Sequence, residues 1–269
     1  MCGGIYLMNN ACNEITDLIS IIMPAYNCEK YIDEAIGSVC NQSYSNWELI
    51  IINDASNDKT VNIAEKYVNE RENVYLINND EKSGPAKSRN KGIEMAKGRF
   101  ICFLDSDDFM LPDKLSKQTE FSLKNGYGFT YTNYSRINEN GEIVKERMSL
   151  IPESDWKDIA CVMPMLLSTV MFDLSVIDKR EIYMPDITTS EDRACFSAVL
   201  KNNMGKCDKA YLLDEVLTLY RVTKSSLSHS KINNAKSVWY YFRKIEKKSF
   251  FVSCGWFIKY VFSAVKKRK

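Results

Sequence analysis

Three carboxylates stand within four residues at the end of an apolar run: Asp105, Asp107 and Asp108 follow Arg99-Phe100-Ile101-Cys102-Phe103-Leu104. Carboxylates this crowded repel unless a proton or a cation compensates. A hard divalent ion with oxygen ligands, Mg²⁺ or Mn²⁺, is the natural partner, and such an ion keeps positions open for substrate phosphates. Taken alone, the same residues also read as a solvated acidic turn ahead of a helix near Pro112-Asp113, because Asp-x-Asp is short enough to arise by chance. A second acidic pair, Glu191-Asp192, follows Thr188-Thr189-Ser190 and opens a helix that runs through Leu200. Acids behind a serine suit the positive end of any helix.

The upstream elements decide what the first cluster can do. Leu18–Met23 is a β-rich run stopped by Pro24, and Ala25-Tyr26-Asn27 leads into a helix with Ile32, Ala35, Ile36 and Val39 at helical spacing. Asn27 is its expected N-cap. Trp47–Ile52 is a second strand ending in Asn53-Asp54, with Ser56 and Asn57 placed to cap the next helix. Val74–Ile77 is a third strand. Pro85 suits the start of a third helix and Gly98 its stop. The Arg99–Leu104 strand completes β-α-β-α-β-α-β, which predicts a parallel sheet with right-handed crossovers. The strand ends then share one edge, where open α/β sheets bind ligands. Tyr26 and Asn27, Asp54, Ser83-Gly84 and the three aspartates gather there. Asp54 either accepts hydrogen bonds from a nucleotide's ribose or base, or caps the helix after it. Arg89, in the helix opened by Gly84-Pro85, either grips a diphosphate in forked geometry or is a solvated helix-face arginine. The loop after the first strand, Pro24-Ala25-Tyr26-Asn27-Cys28-Glu29, has no glycine, which excludes a dinucleotide-binding Gly-x-Gly-x-x-Gly turn, and no Walker-type Gly-Lys-Ser/Thr loop is present.

The chain has 269 residues, 45% of them hydrophobic, enough for one large domain or two small ones. Its net charge of +1 makes no case for nucleic acid. Nine scattered cysteines without a Cys-x-x-Cys pair fit a reducing compartment. Residues 1–17 read as an extension with no secretory signal. Farther along, Gly128–Tyr134 reads as a strand and Asn140-Gly141 as a hairpin turn between Ile137 and Ile143-Val144. Ile159, Val162, Met163 and Leu166 mark an amphipathic helix, and Ser168–Phe172 another strand. Ten Lys/Arg against one Glu fall between Ala235 and Lys269, a local +9 that leaves −8 for the first 234 residues. Phe251, Cys254, Ile258, Val261 and Val265 share a helical face in this tail. It is too short and too charged to span a bilayer and suits a helix lying on an anionic membrane surface. The competing reading is a helix packed on the core or on a homodimer partner.

Four segments, taken together and in order, resemble the family 2 inverting glycosyltransferases with the GT-A fold. They are Ser20–Asn27, Glu48–Ser56, Gly84–Gly92 and Phe103-Leu104-Asp105-Ser106-Asp107-Asp108. The resemblance covers roughly residues 18–230 and is strongest in the first half. It is nearest to bacterial enzymes that build surface polysaccharides such as O-antigen, capsule or teichuronic acid. It implies a GT-A-like, Rossmann-like α/β domain at 18–234 with a mostly parallel sheet flanked by helices. Within it, 18–115 is the nucleotide-sugar half and 116–234 the acceptor half, followed by a helical amphipathic tail at 235–269. It further implies that Pro24, Tyr26 and Asn27 line a base pocket, that Asp54 meets the uracil of a UDP-sugar, and that Arg89 lies near ribose or phosphates. Asp105 and Asp107 become the Asp-x-Asp pair, with Mn²⁺ or Mg²⁺ held mainly by Asp107 and helped by Asp108. Asp192, with Glu191, becomes the catalytic base pair that deprotonates the acceptor hydroxyl. Arg221, ahead of Ser225-Ser226-Leu227-Ser228, is expected to touch the donor diphosphate. The family often has glycine where this chain has Ser190. His229, the single histidine, reads as an ordinary residue more readily than as a ligand. The implied acceptor is a lipid-linked or oligosaccharide glycan at the cytoplasmic face of the membrane. A nucleotidyltransferase and a non-catalytic sugar-binding protein of the same fold are the alternatives. The first normally needs a Gly-rich loop after the first strand. Against the second stands the joint presence of Asp54, Asp105, Asp107 and Asp192.

Overall fold

The structure is a computed structural model that describes residues 17–187, 189–223 and 231–266. Residues 1–16, Thr188, His229, the Ser225–Ser228 run and Lys267–Lys269 lie outside the described residues.

The first half alternates β1 (Ile19–Ala25), α1 (Ile32–Cys40), β2 (Trp47–Asn53), α2 (Thr60–Glu70), β3 (Val74–Asn78), α3 (Pro85–Met95) and β4 (Phe100–Phe103). The strands lie in the order β3-β2-β1-β4, every neighbouring pair parallel. The central three are apolar runs because both faces are covered by helices. Alternation divides their side chains cleanly. Ile22, Ile50, Ile52, Ile101 and Phe103 join one core with Ala86 and Ile93 of α3. Ile21, Met23, Leu49, Ile51, Phe100 and Cys102 join the other with Ile32 and Ile36 of α1 and Ala64 of α2.

Helix ends differ from expectation. Asn27 does not cap α1, which starts five residues later behind Tyr31. Asn27 instead sits in the left-handed region at φ 46°. Neither Ser56 nor Asn57 caps α2, which starts at Thr60 and receives its cap from Asp58 and Glu29. Gly98 does not stop α3, which ends at Met95. A Cβ on Gly98 would lie 2.6 Å from the Leu18 carbonyl oxygen and 2.7 Å from the Ser20 nitrogen. Glycine is needed here so that the chain can pass against β1. Gly98→Ala is therefore expected to cost about 1–3 kcal/mol by overpacking against backbone. Urea unfolding at unchanged m-value measures it, and a loss of only a few tenths would mean that β1 yields.

The second half comprises β5 (Phe109–Met110), α4 (Lys114–Asn125), β6 (Phe129–Ile137), β7 (Ile143–Lys145), β8 (Glu153–Ser154), α5 (Trp156–Val162), β9 (Val170–Asp173), α6 (Glu191–Asn202) and β10 (Ala210–Arg221). β9 runs antiparallel between β4 and β6, β10 is parallel to β6, and β5 closes the edge antiparallel to β10. The sheet is thus parallel in its first half and mixed in its second, since an antiparallel neighbour needs no crossover over a sheet face. The Asn140-Gly141 hairpin joins β6 to β7 as expected, with Gly141 at φ 83°. Helix α5 stops at Val162, short of Leu166, because Met163 turns left-handed. Leu167–Thr169 form a 3₁₀ turn and only Val170 begins the strand.

The tail forms α7 (Lys231–Tyr240), a π-helical turn over Tyr241–Ile245, and α8 (Phe250–Lys266). It packs on the core. Val238, Tyr241 and Phe242 form a third apolar cluster with Ala160 of α5 and Ala194 of α6, and Trp256, Phe257 and Tyr260 of α8 lean on it. Among the described residues no helix is long and apolar enough to cross a membrane.

Candidate active site

The carboxyl ends of β1, β2, β3 and β4 share one edge, and the loops after them are tied to one another. After β1 and β2 the ties are reciprocal. The Asn27 N–H donates to Ser56 Oγ (3.0 Å) and the Asn57 N–H to Asn27 Oδ1 (2.8 Å). Likewise Glu29 N–H donates to Asp58 Oδ2, and Lys59 N–H to Glu29 Oε2 (both 3.0 Å). Pro24 is half-buried in β1, while the Tyr26 ring is 40% exposed with Lys82 Nζ 3.7 Å above its centroid.

Asp54 is buried and works on the loop after β3. Its Oδ1 accepts from Ser83 N (2.8 Å), Ser83 Oγ (2.8 Å) and Asn79 Nδ2 (2.9 Å), and its Oδ2 from Gly84 N (2.8 Å). Burial would push this carboxyl up, but these donors outweigh it and hold it below the usual carboxylate range. It does not cap α2. Asn79, missed in the sequence, also accepts from Lys91 Nζ (2.8 Å), so it links Asp54 to α3.

Arg89 is neither solvated nor free. It is 7% exposed, and its guanidinium bridges two acidic residues, Asp105 and Glu191, that lie 86 positions apart. Nη2 donates to Asp105 Oδ1 (2.8 Å) and Nη1 to Glu191 Oε1 (3.1 Å). Its Nε has no partner among the described residues. Burial alone would weaken the charge; Asp105 and Glu191 outweigh it. The next residue, Asn90, exchanges hydrogen bonds with the backbone of Met184 (2.8 and 2.7 Å). One turn of α3 therefore holds the segment that leads into α6.

At the start of α6, Glu191 is raised above its ordinary pKa by burial and by Asp192, with Arg89 pulling the other way. Asp192 is half-buried; its Oδ1 accepts from the Arg193 N–H (2.7 Å), and its Oδ2 has no partner among the described residues. Ser190 caps nothing with its side chain and stands at φ 62°. That conformation costs an L-residue roughly 1–2 kcal/mol relative to glycine's freedom, so Ser190→Gly is expected to raise stability by up to about 1 kcal/mol after the glycine entropy penalty. A lower thermal midpoint would show that the Ser190 side chain holds the loop in another way.

The three aspartates divide their labour. Asp107 is pushed up to about 6 by burial and by the charge of Asp105. Asp105 keeps one oxygen beyond the Arg89 contact. Asp108 is turned inward: Ser168 Oγ donates to its Oδ2 and the Arg221 N–H to its Oδ1 (3.0 Å). Asp108, expected to help hold the metal, is 2% exposed, and both its carboxylate oxygens are engaged by these donors. Ser168, unnoticed in the sequence, also accepts from the Asp105 N–H (3.1 Å) and so fixes the turn from below. Among the described residues no three His, Cys, Asp or Glu side chains converge as a closed metal cage.

Arg221, expected near the donor diphosphate, is held within the chain. Its guanidinium donates to Glu34 Oε2 (2.6 Å), the Asp107 carbonyl (3.0 Å) and the Asn138 and Glu139 carbonyls (both 3.3 Å), and it lies 4.5 Å from the Tyr31 ring centroid. At 3% exposure it fastens the Asp105–Asp108 turn to α1 and to the β6–β7 hairpin.

Behind Asp192, Arg193 is buried in the third cluster. Its Nη1 donates to the carbonyls of Ile159 (3.2 Å) and Ala160 (2.7 Å), and its guanidinium carbon lies 6.0 Å from the ring centroids of both Tyr241 and Tyr260. Burial lowers its pKa. The start of α6 is thereby fastened to α5 and to the tail.

A parallel first half, a mixed second half and acidic motifs meeting at the sheet edge are the arrangement of a GT-A glycosyltransferase. The chain belongs to glycosyl transferase family 2, whose family model matches residues 20–178. It is 37% identical over 255 residues to TuaG of Bacillus subtilis, which bears the name of a teichuronic acid biosynthesis glycosyltransferase; the match covers 93% of this chain and 97% of TuaG. It is 32% identical over 229 residues to WfgD of Escherichia coli, a UDP-Glc:alpha-D-GlcNAc-diphosphoundecaprenol beta-1,3-glucosyltransferase, covering 82% of this chain and 84% of the relative. The S. aureus TarS 1–349 structure in complex with UDP superposes with a TM-score of 0.62 at 25% identity, covering 84% of this chain and 65% of TarS 1–349.

Proposed function

We propose that this glycosyltransferase moves a sugar from a UDP-sugar to the hydroxyl of a lipid-linked glycan, with inversion, during surface-polysaccharide synthesis at the cytoplasmic membrane face. The observation that carries the reading is the Asp105–Arg89–Glu191 bridge, which brings the Asp-x-Asp turn and the Glu-Asp helix start together. The UDP donor is supported by the name of WfgD and by the UDP complex of TarS, and the lipid-linked acceptor by the name of WfgD. Residues 18–115 would hold the nucleotide and 116–234 the acceptor. Pro24, Tyr26, Asn27 and the remaining acceptor capacity of Asp54 Oδ2 would receive the base.

Asp192 would accept the proton of the acceptor hydroxyl as that oxygen attacks the anomeric carbon from the face opposite the UDP. Arg89 holds Glu191 and Asp105 in register, so base and departing diphosphate keep a fixed separation. The donor set fits a hard divalent ion: two carboxylates in one turn, one of them short of countercharge, with further positions left to phosphate oxygens. Mn²⁺ or Mg²⁺ on Asp107 and Asp105 would offset negative charge on the leaving diphosphate.

That charge deficit has a pH signature. The folded Asp107 carboxyl, at about 6, binds its proton more tightly than the unfolded one, whose ordinary value is 3.8. Its contribution to stability is present below about pH 4 and is lost as pH rises through about 6. A divalent ion opposes that loss. Mn²⁺ is therefore expected to raise the thermal midpoint at pH 7.5 and hardly at pH 5, and Asp107→Asn to remove the response. An equal Mn²⁺ shift in that variant would move the metal elsewhere. The functional reading itself is tested by calorimetry of UDP with and without Mn²⁺ on wild type and Asp107→Ala. Transfer from UDP-sugars to a diphosphate-linked GlcNAc acceptor follows. Wild type without UDP affinity under any metal condition would overturn the donor assignment.

A further inference from the structure

Helix α8 has two apolar faces and covers only one. Trp256, Phe257 and Tyr260 lean on the third cluster. Phe250, Phe251, Ile258, Val261 and Phe262 stay exposed, Phe251 to 85% and Phe262 to 73%. At 3.6 residues per turn these five fall on one continuous arc. Phe257 lies at the border of the two faces, and Trp239 of α7 stands on it and on Phe250, with ring centroids 5.6 and 5.9 Å apart.

At that border is a cleft of about 710 Å³, lined by Trp239, Tyr240 and Phe257 and by three cations, Lys236, Arg243 and Lys244. Arg243 donates to the Lys248 carbonyl, whereas no carboxylate among the described residues pairs with Lys236 or Lys244. An aromatic-walled cleft holding three positive charges, continuous with a bare apolar arc, is complementary to one kind of surface: phosphate above, hydrocarbon beneath.

We propose that α7 and α8 form a docking face for an anionic phospholipid bilayer, with the phosphate of one lipid seated in the cleft between Lys236, Arg243 and Lys244 and the arc from Phe250 to Phe262 sunk among the acyl chains. This deepens the membrane-face reading above and rests on it only for the nature of the acceptor. Docking needs neither donor nor metal. It would hold the enzyme against the layer in which a lipid-linked acceptor is dissolved.

The test is co-sedimentation of the full chain with vesicles of phosphatidylcholine alone and with vesicles that hold about one-third phosphatidylglycerol, in the absence of UDP. Wild type should sediment with the anionic vesicles and not with the neutral ones. Lys236→Glu/Lys244→Glu should lower partitioning at least about tenfold, since each cation near an anionic surface contributes about 1 kcal/mol. Phe251→Ser/Phe262→Ser should abolish it. Both variants should bind UDP as wild type does. Failure of wild type to bind anionic vesicles, or wild-type partitioning by the charge-reversed variant, would overturn the proposal. So would a dimer in ultracentrifugation that Phe251→Ser/Phe262→Ser dissolves while vesicle binding persists, for then α8 covers a second copy of the chain. Loss of UDP binding by wild type would strike the transferase reading and leave the vesicle result standing.

Discussion

Asp192→Asn is expected to lower turnover by about two to four orders of magnitude, the range that a positioned general base contributes, with the affinity for UDP unchanged. The amide matches the carboxylate in shape, and its oxygen can still accept from the Arg193 N–H. What it cannot do is take a proton. Glu191→Gln serves as the comparison, because Glu191 is spent on Arg89. It should reduce activity less and should weaken folding more than Asp192→Asn does. Single-turnover transfer with saturating donor separates chemistry from binding. Wild-type turnover by Asp192→Asn would take the base away from α6. A raised UDP dissociation constant instead would make Asp192 part of the donor pocket.

The largest loss of stability is expected from Arg89→Met. The substitution keeps the apolar stem and removes the charge that Asp105 and Glu191 share. Breaking a buried pair by deleting one partner typically costs 3–5 kcal/mol, because the other charge remains buried. Here the lower end applies, about 3 kcal/mol, since Asp105 is one-third exposed and water screens it. Denaturant unfolding measures the loss. The diagnostic variant is Arg89→Met/Glu191→Gln. If the cost lies in the stranded Glu191 charge, the double variant should be more stable than Arg89→Met alone. If it is less stable, the guanidinium matters chiefly for packing against Met184 and the Glu191 charge is solvated elsewhere.

The parts of this molecule legible in its sequence are those that local chemistry dictates. β1 to β4 are apolar runs closed by polar residues, and the order of the motifs followed from them. What stayed hidden depends on partners far away in the chain. That Glu34 and the Asp107 carbonyl hold Arg221 has no local mark in the sequence. Nor does it show that Ser168 and the Arg221 backbone donate to Asp108. Arg89 stands out in the sequence as a cation at the ligand edge, with no sign of the two carboxylates it joins. A left-handed Asn27 and a helix that starts late cannot be seen in a pattern of apolar spacing, because Asp58 accepts from Thr60 where Ser56 and Asn57 were expected to cap, and Glu29 accepts from Lys59 out of another loop. The antiparallel β9 is five residues shorter than β6 and carries no mark of its direction. The tail showed its charge and apolarity plainly; which of its faces the core would cover was not written in the spacing alone.

Arg193 joins two parts of the chain that sequence order keeps apart. It follows Asp192 directly, yet what surrounds its guanidinium comes from α5 and from Tyr241 and Tyr260. Tail and active-site helix are therefore not interchangeable modules. A hybrid that grafts a relative's C-terminal segment onto this chain, or trims it to a minimal core, inherits a cationic side chain with its enclosure missing, one residue from Asp192. Swaps between relatives should work when the donated segment brings rings to the positions of Tyr241 and Tyr260, whatever the rest of it looks like.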